Sequence, residues 1–137
     1  MGYHALANVL GIEEPTTDMD LIDVVRHGLP SEGITALSIK LAISSAELSK
    51  HLHVSPKTLQ RQKGKILDIN ISDRLLTIAL VYVKCLDIFG TDENSVAWLK
   101  SPIPALGNIK PLDYLDTNAG AEMVMSLLGR IEYGVYS

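Results

Sequence analysis

The stretch from Asn70 to Phe89 constrains the fold more than any other part of this sequence. Apolar side chains fill every position from Leu75 onward except Thr77, Lys84 and Asp87. The run is shorter than the roughly 20 residues that cross a bilayer, and its two charges also argue against a membrane span. A helix that is apolar around its whole circumference is expected to be buried against other protein on every side. The stretch therefore predicts a long central helix.

This central helix is expected to begin at Ser72 or Asp73, which are both good N-cap residues, and to end at Gly90. In so small a chain, a helix without a polar face is covered either by the rest of the chain or by a second subunit. We predict that it takes part in a homodimer. The predicted dimer contacts are Leu76, Leu80 and Val83.

Shorter helices accompany the central helix in the prediction. Acidic residues in a first turn favour a helix from Asp18, which Gly28 and Pro30 end. Residues 1–16 show no periodic pattern. Three prolines and a glycine make "SPIPALGNIKPLD" an ordered connection at best. The predicted N-caps of the remaining helices are Ser31, Ser44, Ser55, Thr91 and Thr117.

The final predicted helix has an apolar face, and the short aromatic tail "IEYGVYS" follows it. With no segment that predicts a central strand, the chain is expected to be all-α. The predicted apolar face comprises Met123, Val124, Leu127 and Leu128.

The formal net charge of −4 hides an uneven distribution of charge along the chain. Residues 1–34 carry a net charge of −5 and residues 66–137 carry −4. Residues 35–65, in contrast, carry six basic side chains against one acidic side chain, a net charge of +5. This basic island favours a surface that binds nucleic acid.

Residues 44–64, within the basic island, have the pattern of a helix-turn-helix. Ser44 at the N-cap and Glu47 three residues later predict a capping box at the start of the first helix. After a three-residue turn, Ser55 caps the second helix. Pro56 then occupies its first position, where the missing N–H costs nothing.

Two positions depart from the usual helix-turn-helix pattern. Ser49 stands where a small Ala is commonest, and His53 stands where Gly usually makes the left-handed turn. His tolerates that conformation, so we expect the turn to be retained. The second helix would enter the major groove of double-stranded DNA. The alternative is a three-helix scaffold whose basic face is only solvated. The candidate DNA contacts are Ser55, Lys57, Thr58, Gln60, Arg61 and Lys63.

The sequence offers no pattern for catalysis or metal binding. The four histidines lack zinc-site spacing, and the single cysteine, Cys85, excludes a disulfide framework. No Gly-rich phosphate loop or nucleophile elbow is present. Asp113 and Asp116 lie in a Pro-flanked turn, where capping the next helix is the simpler role. We therefore predict no enzyme, no metal and no cofactor, in a protein of the reducing cytoplasm without a signal peptide.

Distinctive motifs are spread from about Leu37 to the end of the chain, namely "TLQRQKG", Ser72-Asp73-Arg74, Ala97-Trp98-Leu99, Leu106-Gly107, Pro111-Leu112-Asp113, Thr117 with Gly120, and the ending from Leu128 to Gly134. On these motifs the chain resembles the Xre/MbcA/ParS antitoxins, which are partners of RES-domain toxins. Two positions depart mildly from that family. Gln62 stands where a second Arg often follows Arg61, and Asn108 stands where a second Gly often follows Gly107.

The resemblance implies an Xre/Cro-like helix-turn-helix subdomain within residues 1–66 and a toxin-binding and dimerisation subdomain within residues 67–137. It implies a type II antitoxin that covers the active site of an NAD-degrading RES-domain toxin and represses its own operon. Aromatic anchors and anions in the tail suit a pocket made for a dinucleotide. The expected toxin contacts are Arg130, Glu132, Tyr133, Gly134, Val135, Tyr136 and Ser137.

A second hypothesis is a stand-alone dimeric helix-turn-helix repressor whose C-terminal half serves only dimerisation. The neighbouring reading frame separates the two hypotheses, because a RES-domain gene beside this one favours the antitoxin.

Overall fold

The computed structural model describes residues 2–134, and within that range all of the regular structure is helical. The prediction of an all-α fold is confirmed. None of these helices is long and apolar enough to cross a membrane. The α-helices are α1 (His4–Leu10), α2 (Asp18–His27), α3 (Glu32–Leu41), α4 (Ser45–His51), α5 (Pro56–Gln62), α6 (Ile69–Phe89), α7 (Asp92–Leu99) and α8 (Asn118–Glu132). Two short 3₁₀ helices span Pro104–Leu106 and Pro111–Tyr114.

The chain divides into two compact units. Unit 1 extends to Ala79 and unit 2 begins at Leu80, so that the division falls inside α6. The sequence placed the boundary between residues 66 and 67, just before this helix.

Four of the five predicted N-caps form as expected. The hydroxyl oxygens of Ser44 and Ser55 each accept a hydrogen bond from a backbone N–H three residues later, at 3.1 Å. Thr91 and Thr117 do the same at 3.1 and 2.9 Å. A reciprocal capping box, expected at Ser44, forms instead at the start of α2, where Thr17 and Asp20 exchange side-chain to backbone bonds.

Ser31 occupies the N-cap position of α3, as predicted, but its side chain does not cap the helix. Its backbone is already helical, and its hydroxyl accepts a hydrogen bond from the distant N–H of Gly64 at 3.0 Å. The predicted start of the central helix is wrong. Helix α6 begins at Ile69, and the carboxylate of Asp68 accepts from the N–H of Ile71 at 2.8 Å.

Unit 1 contains a helix that the sequence reading missed. Helix α1 buries Leu6, Val9 and Leu10 and packs against α3. Gly11 ends it in the left-handed conformation, with φ of 66°. The spacing of these three apolar residues, followed by Gly, is the signal that could have identified the helix.

In unit 2, α7 and α8 both pack against the 3₁₀ helix Pro111–Tyr114. Val124 and Leu128 of α8 are fully buried, and Leu127 is buried too. Met123, predicted on the same face, is 39% exposed, because the buried stripe also includes Gly120 and Ala121 and runs along a different side of the helix. Helix α8 also continues through residues 131 and 132, which the prediction assigned to the tail.

Helix α6 is not covered on all sides within one chain. Ile78, Val81 and Cys85 are at most 1% exposed. The three predicted dimer contacts, Leu76, Leu80 and Val83, are half-buried, and Asp73 and Asp87 are exposed. The expectation of complete burial is therefore wrong for the single chain.

The two ionisable side chains buried in the unit 2 part of α6 are neutral core groups. Burial raises the pKa of the Cys85 thiol to about 12. Burial also raises the pKa of Tyr82, whose hydroxyl donates a hydrogen bond to the carboxylate of Asp92. A thiol held so far from ionisation is a packing residue.

Candidate DNA-binding and toxin-binding surfaces

The turn between α4 and α5 has the expected conformation. His53 has φ of +60°, which is the left-handed region that Gly usually occupies in this turn. Ser49 on α4 is completely buried, and its hydroxyl donates to the carbonyl of Ala46 at 2.6 Å. A serine is accommodated at this position because its polar atom bonds to its own helix.

Helix α5 displays the central part of the basic island. Lys57, Gln60 and Arg61 are exposed, and their spacing of three and four residues places them on one face. Lys63 is also exposed, but it lies just beyond the helix. These four side chains are accessible to a DNA backbone or to base edges.

The other two candidate DNA contacts have local structural roles. The hydroxyl of Ser55 accepts from the N–H of Thr58 and donates to the hydroxyl of Thr58 at 3.0 Å. Thr58 is half-buried. The first turn of α5 is therefore fixed by hydrogen bonds within the helix.

A second surface lies where α8 ends. The ammonium of Lys84 on α6 donates to the carboxylate of Glu132, the last residue of α8, at 2.6 Å. Their side chains are 26% and 28% exposed. The hydrogen bond from Lys84 lowers the pKa of Glu132, and Glu132 raises the pKa of Lys84. The pair fixes the end of α8 to α6.

Sequence reasoning did not identify Lys84 as part of this surface. Its partner Glu132 was predicted only as a toxin contact. A bond between residues that are 48 positions apart leaves no local signal in the sequence.

Beyond the ion pair, the chain offers exposed groups. Arg130 is exposed on α8, Tyr133 is 80% exposed, and Gly134 has a left-handed backbone with φ of 70°. The remaining predicted toxin contacts, Val135, Tyr136 and Ser137, lie outside the described residues.

Two family models match the chain. One, described as the antitoxin Xre-like helix-turn-helix domain, covers residues 20–79 and ends where unit 1 ends. The other, described as the antitoxin Xre/MbcA/ParS C-terminal toxin-binding domain, covers residues 86–134. Antitoxin Xre of Photorhabdus laumondii is 30% identical over 118 residues, which are 83% of this chain and 79% of that protein. The chain belongs to the Xre/MbcA/ParS antitoxin family.

Two more relatives agree with this assignment. Antitoxin Xre of Yersinia enterocolitica is 29% identical over 121 residues, or 85% of this chain and 81% of the relative. The Prs ADP-ribosylating antitoxin of a Sphingobium species is 25% identical over 130 residues, which are 87% of this chain and 82% of that protein.

The two family matches place each candidate surface in a different domain. The chain is the antitoxin of a toxin–antitoxin system with a helix-turn-helix domain. The basic helix α5 lies in that domain, and the ion pair's Glu132 with the exposed Tyr133 lies in the toxin-binding domain. A stand-alone repressor with a C-terminal half used only for dimerisation does not account for the second match.

Proposed function

We propose that this antitoxin neutralises a RES-domain toxin that consumes NAD, by placing its C-terminal segment over the toxin's active site. The observation that carries the proposal is the extent of the toxin-binding match, which continues to residue 134. It therefore includes residues after α8 that have no role in the core of unit 2. Tyr133, with 80% exposure, is the first of them.

A pocket that holds NAD accommodates an aromatic base and two phosphates. The end of the described segment offers one similar group, the exposed phenol of Tyr133. Aromatic side chains are common anchors in protein interfaces, because they bury a large area at a low cost in entropy. The exposed phenol of Tyr133 supports a direct block of the NAD site.

The name of the Sphingobium relative bears on the toxin's chemistry. NAD degradation and ADP-ribosylation both break the bond between nicotinamide and ribose. The acceptor of the ADP-ribose is water in the first reaction and a protein side chain in the second. Co-expression of the adjacent toxin gene with and without the antitoxin distinguishes them, because only the second leaves ADP-ribosylated protein. A toxin that leaves NAD levels unchanged and modifies no protein would contradict this proposal.

We propose in addition that unit 1 represses the antitoxin's own operon by binding operator DNA. Replacing Arg61 or Lys57 by Ala should weaken binding to the promoter duplex. The salt dependence, as the slope of log affinity against log salt concentration, should become shallower by about 0.9 for each lost phosphate contact. Fluorescence anisotropy at several salt concentrations measures both quantities.

The control for this prediction is Lys110→Ala, which removes an exposed positive charge from unit 2. It should leave both affinity and salt slope unchanged, and all three variants should still neutralise the toxin. Wild-type binding by both Arg61→Ala and Lys57→Ala would leave the helix-turn-helix as a scaffold only.

We propose, finally, that the antitoxin is a homodimer that uses the half-buried side chains Leu76, Leu80 and Val83 of α6. A two-fold dimer matches the two half-sites of a palindromic operator. The variant Leu80→Asp should be a folded monomer or should unfold, since a buried unpaired charge is strongly unfavourable. Light scattering and circular dichroism distinguish these outcomes from an intact dimer.

The matched control is Met19→Asp, the same kind of change at a side chain of α2 that is 72% exposed. This variant should remain dimeric. A wild-type protein that is monomeric at every concentration would remove the dimer from the proposal.

A further inference from the structure

The helix that carries the candidate DNA contacts is poorly anchored by its own side chains. None of the seven residues of α5, all of which are described, is buried. Leu59, its main apolar residue, is only half-buried and lines a groove of about 440 Å³ with Ile34 and Thr35 of α3. Side-chain packing alone therefore does not fix α5, and its position depends on the segments at its two ends.

The segment before α5 is held from α6. The guanidinium of Arg74 donates a hydrogen bond through Nη2 to the backbone carbonyl of His51 at 3.0 Å. His51 is the last residue of α4, where helix carbonyls lack partners within the helix and the helix dipole favours a cation. This bond lies two residues before the left-handed turn at His53.

The segment after α5 is held by a short antiparallel pairing with the turn between α2 and α3. The N–H of Ser31 donates to the carbonyl of Lys65 at 3.0 Å, and the N–H of Leu67 donates to the carbonyl of Leu29 at 2.9 Å. Gly28 is required for this approach, since a Cβ there would lie 2.3 Å from the carbonyl oxygen of Leu67.

Ser72 of α6 contacts both segments of this pairing. Its hydroxyl accepts from the N–H of Leu29 at 2.8 Å and is within 3.3 Å of the carbonyl of Leu67, to which it can donate. Ser72 and Leu29 are both 0% exposed. A buried N–H without an acceptor is costly, so this hydroxyl is needed where it lies.

We propose that Ser72 and Arg74 are positioning residues for DNA recognition, which hold the two ends of α5 from α6. The inference rests on the proposed binding of DNA by α5. A reading helix that is already fixed loses less entropy when it enters the groove, and its side chains meet the base edges in register. The residues need not touch DNA for this role.

The first test is Arg74→Met, which removes the donor to His51 and keeps an apolar stem. Amide hydrogen exchange in α5 should become faster by about tenfold, as expected when a hydrogen bond from a charged group is lost. Affinity for the promoter duplex should fall by a similar factor, whereas affinity for a random duplex and its salt slope should not change. Arg74→Lys, which retains a donor, should recover part of the loss.

The control for the lost charge is Arg26→Met. Arg26 is an exposed residue of the same unit, 3.9 Å from Asp23, and lies outside the basic island. Its replacement should leave the exchange of α5 amides at the wild-type rate. A loss of affinity for random and promoter DNA alike in Arg74→Met, with a shallower salt slope, would make Arg74 a phosphate contact and overturn the proposal.

The second test is Ser72→Ala, with Ser49→Ala as its matched control. Both serines are fully buried in unit 1, but the Ser49 hydroxyl bonds to its own helix, so Ala is accommodated there. Ser72→Ala should lower the melting temperature by several degrees and accelerate exchange in residues 63–67 and α5. Ser49→Ala should do neither. Equal exchange in the two variants would overturn the role of Ser72.

The exchange measurements need no DNA, so they separate the two proposals. If wild-type protein binds the promoter and random DNA equally, the proposed repression fails, while faster exchange in Arg74→Met still supports the anchoring of α5. If the wild type binds the promoter specifically and both variants match it in exchange and affinity, the anchoring fails and the repression stands.

Discussion

An antitoxin shortened by residues 133–137 is expected to fold, to bind DNA as the full chain does, and to give no protection against its toxin. The described residues of this segment, Tyr133 and Gly134, are both exposed, so their removal takes no side chain from the core. Termini of this kind contribute little to stability. If the segment fills the NAD pocket of the toxin, however, its loss reopens the pocket completely.

The deletion should begin at Tyr133 and not one residue earlier. Glu132 is the last residue of α8 and is paired with Lys84, so a cut after Glu132 keeps the end of the helix attached to α6. Growth and NAD levels on co-expression with the adjacent toxin gene measure protection. Co-purification of the two proteins shows whether the body of unit 2 still binds.

A point variant serves as the graded control for the deletion. Tyr133→Ala removes one exposed aromatic side chain and should reduce protection only partly, provided that several groups of the segment fill the pocket. Full protection by the shortened protein would refute a blocking role of the segment. Inhibition would then come from the body of unit 2.

The ion pair that fixes the end of α8 is present across the neutral pH range. Glu132 has a lowered pKa, so its contribution is complete above the ordinary value of 4.5 and is lost as the pH falls below it. Lys84 has a raised pKa, so its contribution is complete below the ordinary value of 10.5 and is lost as the pH rises above it. The lowered pKa of Glu132 and the raised pKa of Lys84 are both caused by this one ion pair.

Much of the fold could be predicted because helix ends are determined by local chemistry. Ser55 and Thr117 accept hydrogen bonds from backbone N–H groups three residues away, so the residues that decide a helix start are adjacent in the sequence. The same holds for Gly90, which ends α6 in the left-handed conformation with φ of 84°. The basic face of α5 could be predicted for the same reason, because the spacing of its basic residues is set within one helix.

The contacts that position the candidate sites were not predictable in this way. Ser31 and Ser72 looked like helix caps, but their hydroxyls bond to backbone groups 33 and 43 residues away. Lys84 and Glu132 are separated by 48 residues. A side chain that can satisfy a local donor can equally satisfy a distant one, and only the folded chain decides between them.

Glycine gives a second example of information that only the structure supplies. A Cβ added to Gly120 on α8 would lie 2.0 Å from the carbonyl oxygen of Tyr114 and 2.9 Å from its carbonyl carbon. The sequence marked Gly120 only as part of a family motif. The structure adds the physical reason, which is the close approach of α8 to the 3₁₀ helix Pro111–Tyr114.

Gly120→Ala is therefore expected to destabilise unit 2 by about 3 kcal/mol, at the upper end of overpacking costs, because the obstructing atoms are backbone and cannot rotate away. Gly129→Ala is the matched control on the same helix. A Cβ there meets no atom within 4 Å, and Ala favours a helix over Gly by up to about 1 kcal/mol. Urea denaturation should thus move the midpoint down for the first variant and slightly up for the second. Toxin neutralisation should be lost only in Gly120→Ala, since the surface around Glu132 needs a folded unit 2. Equal midpoints for the two variants would contradict the close packing of α8 at Gly120.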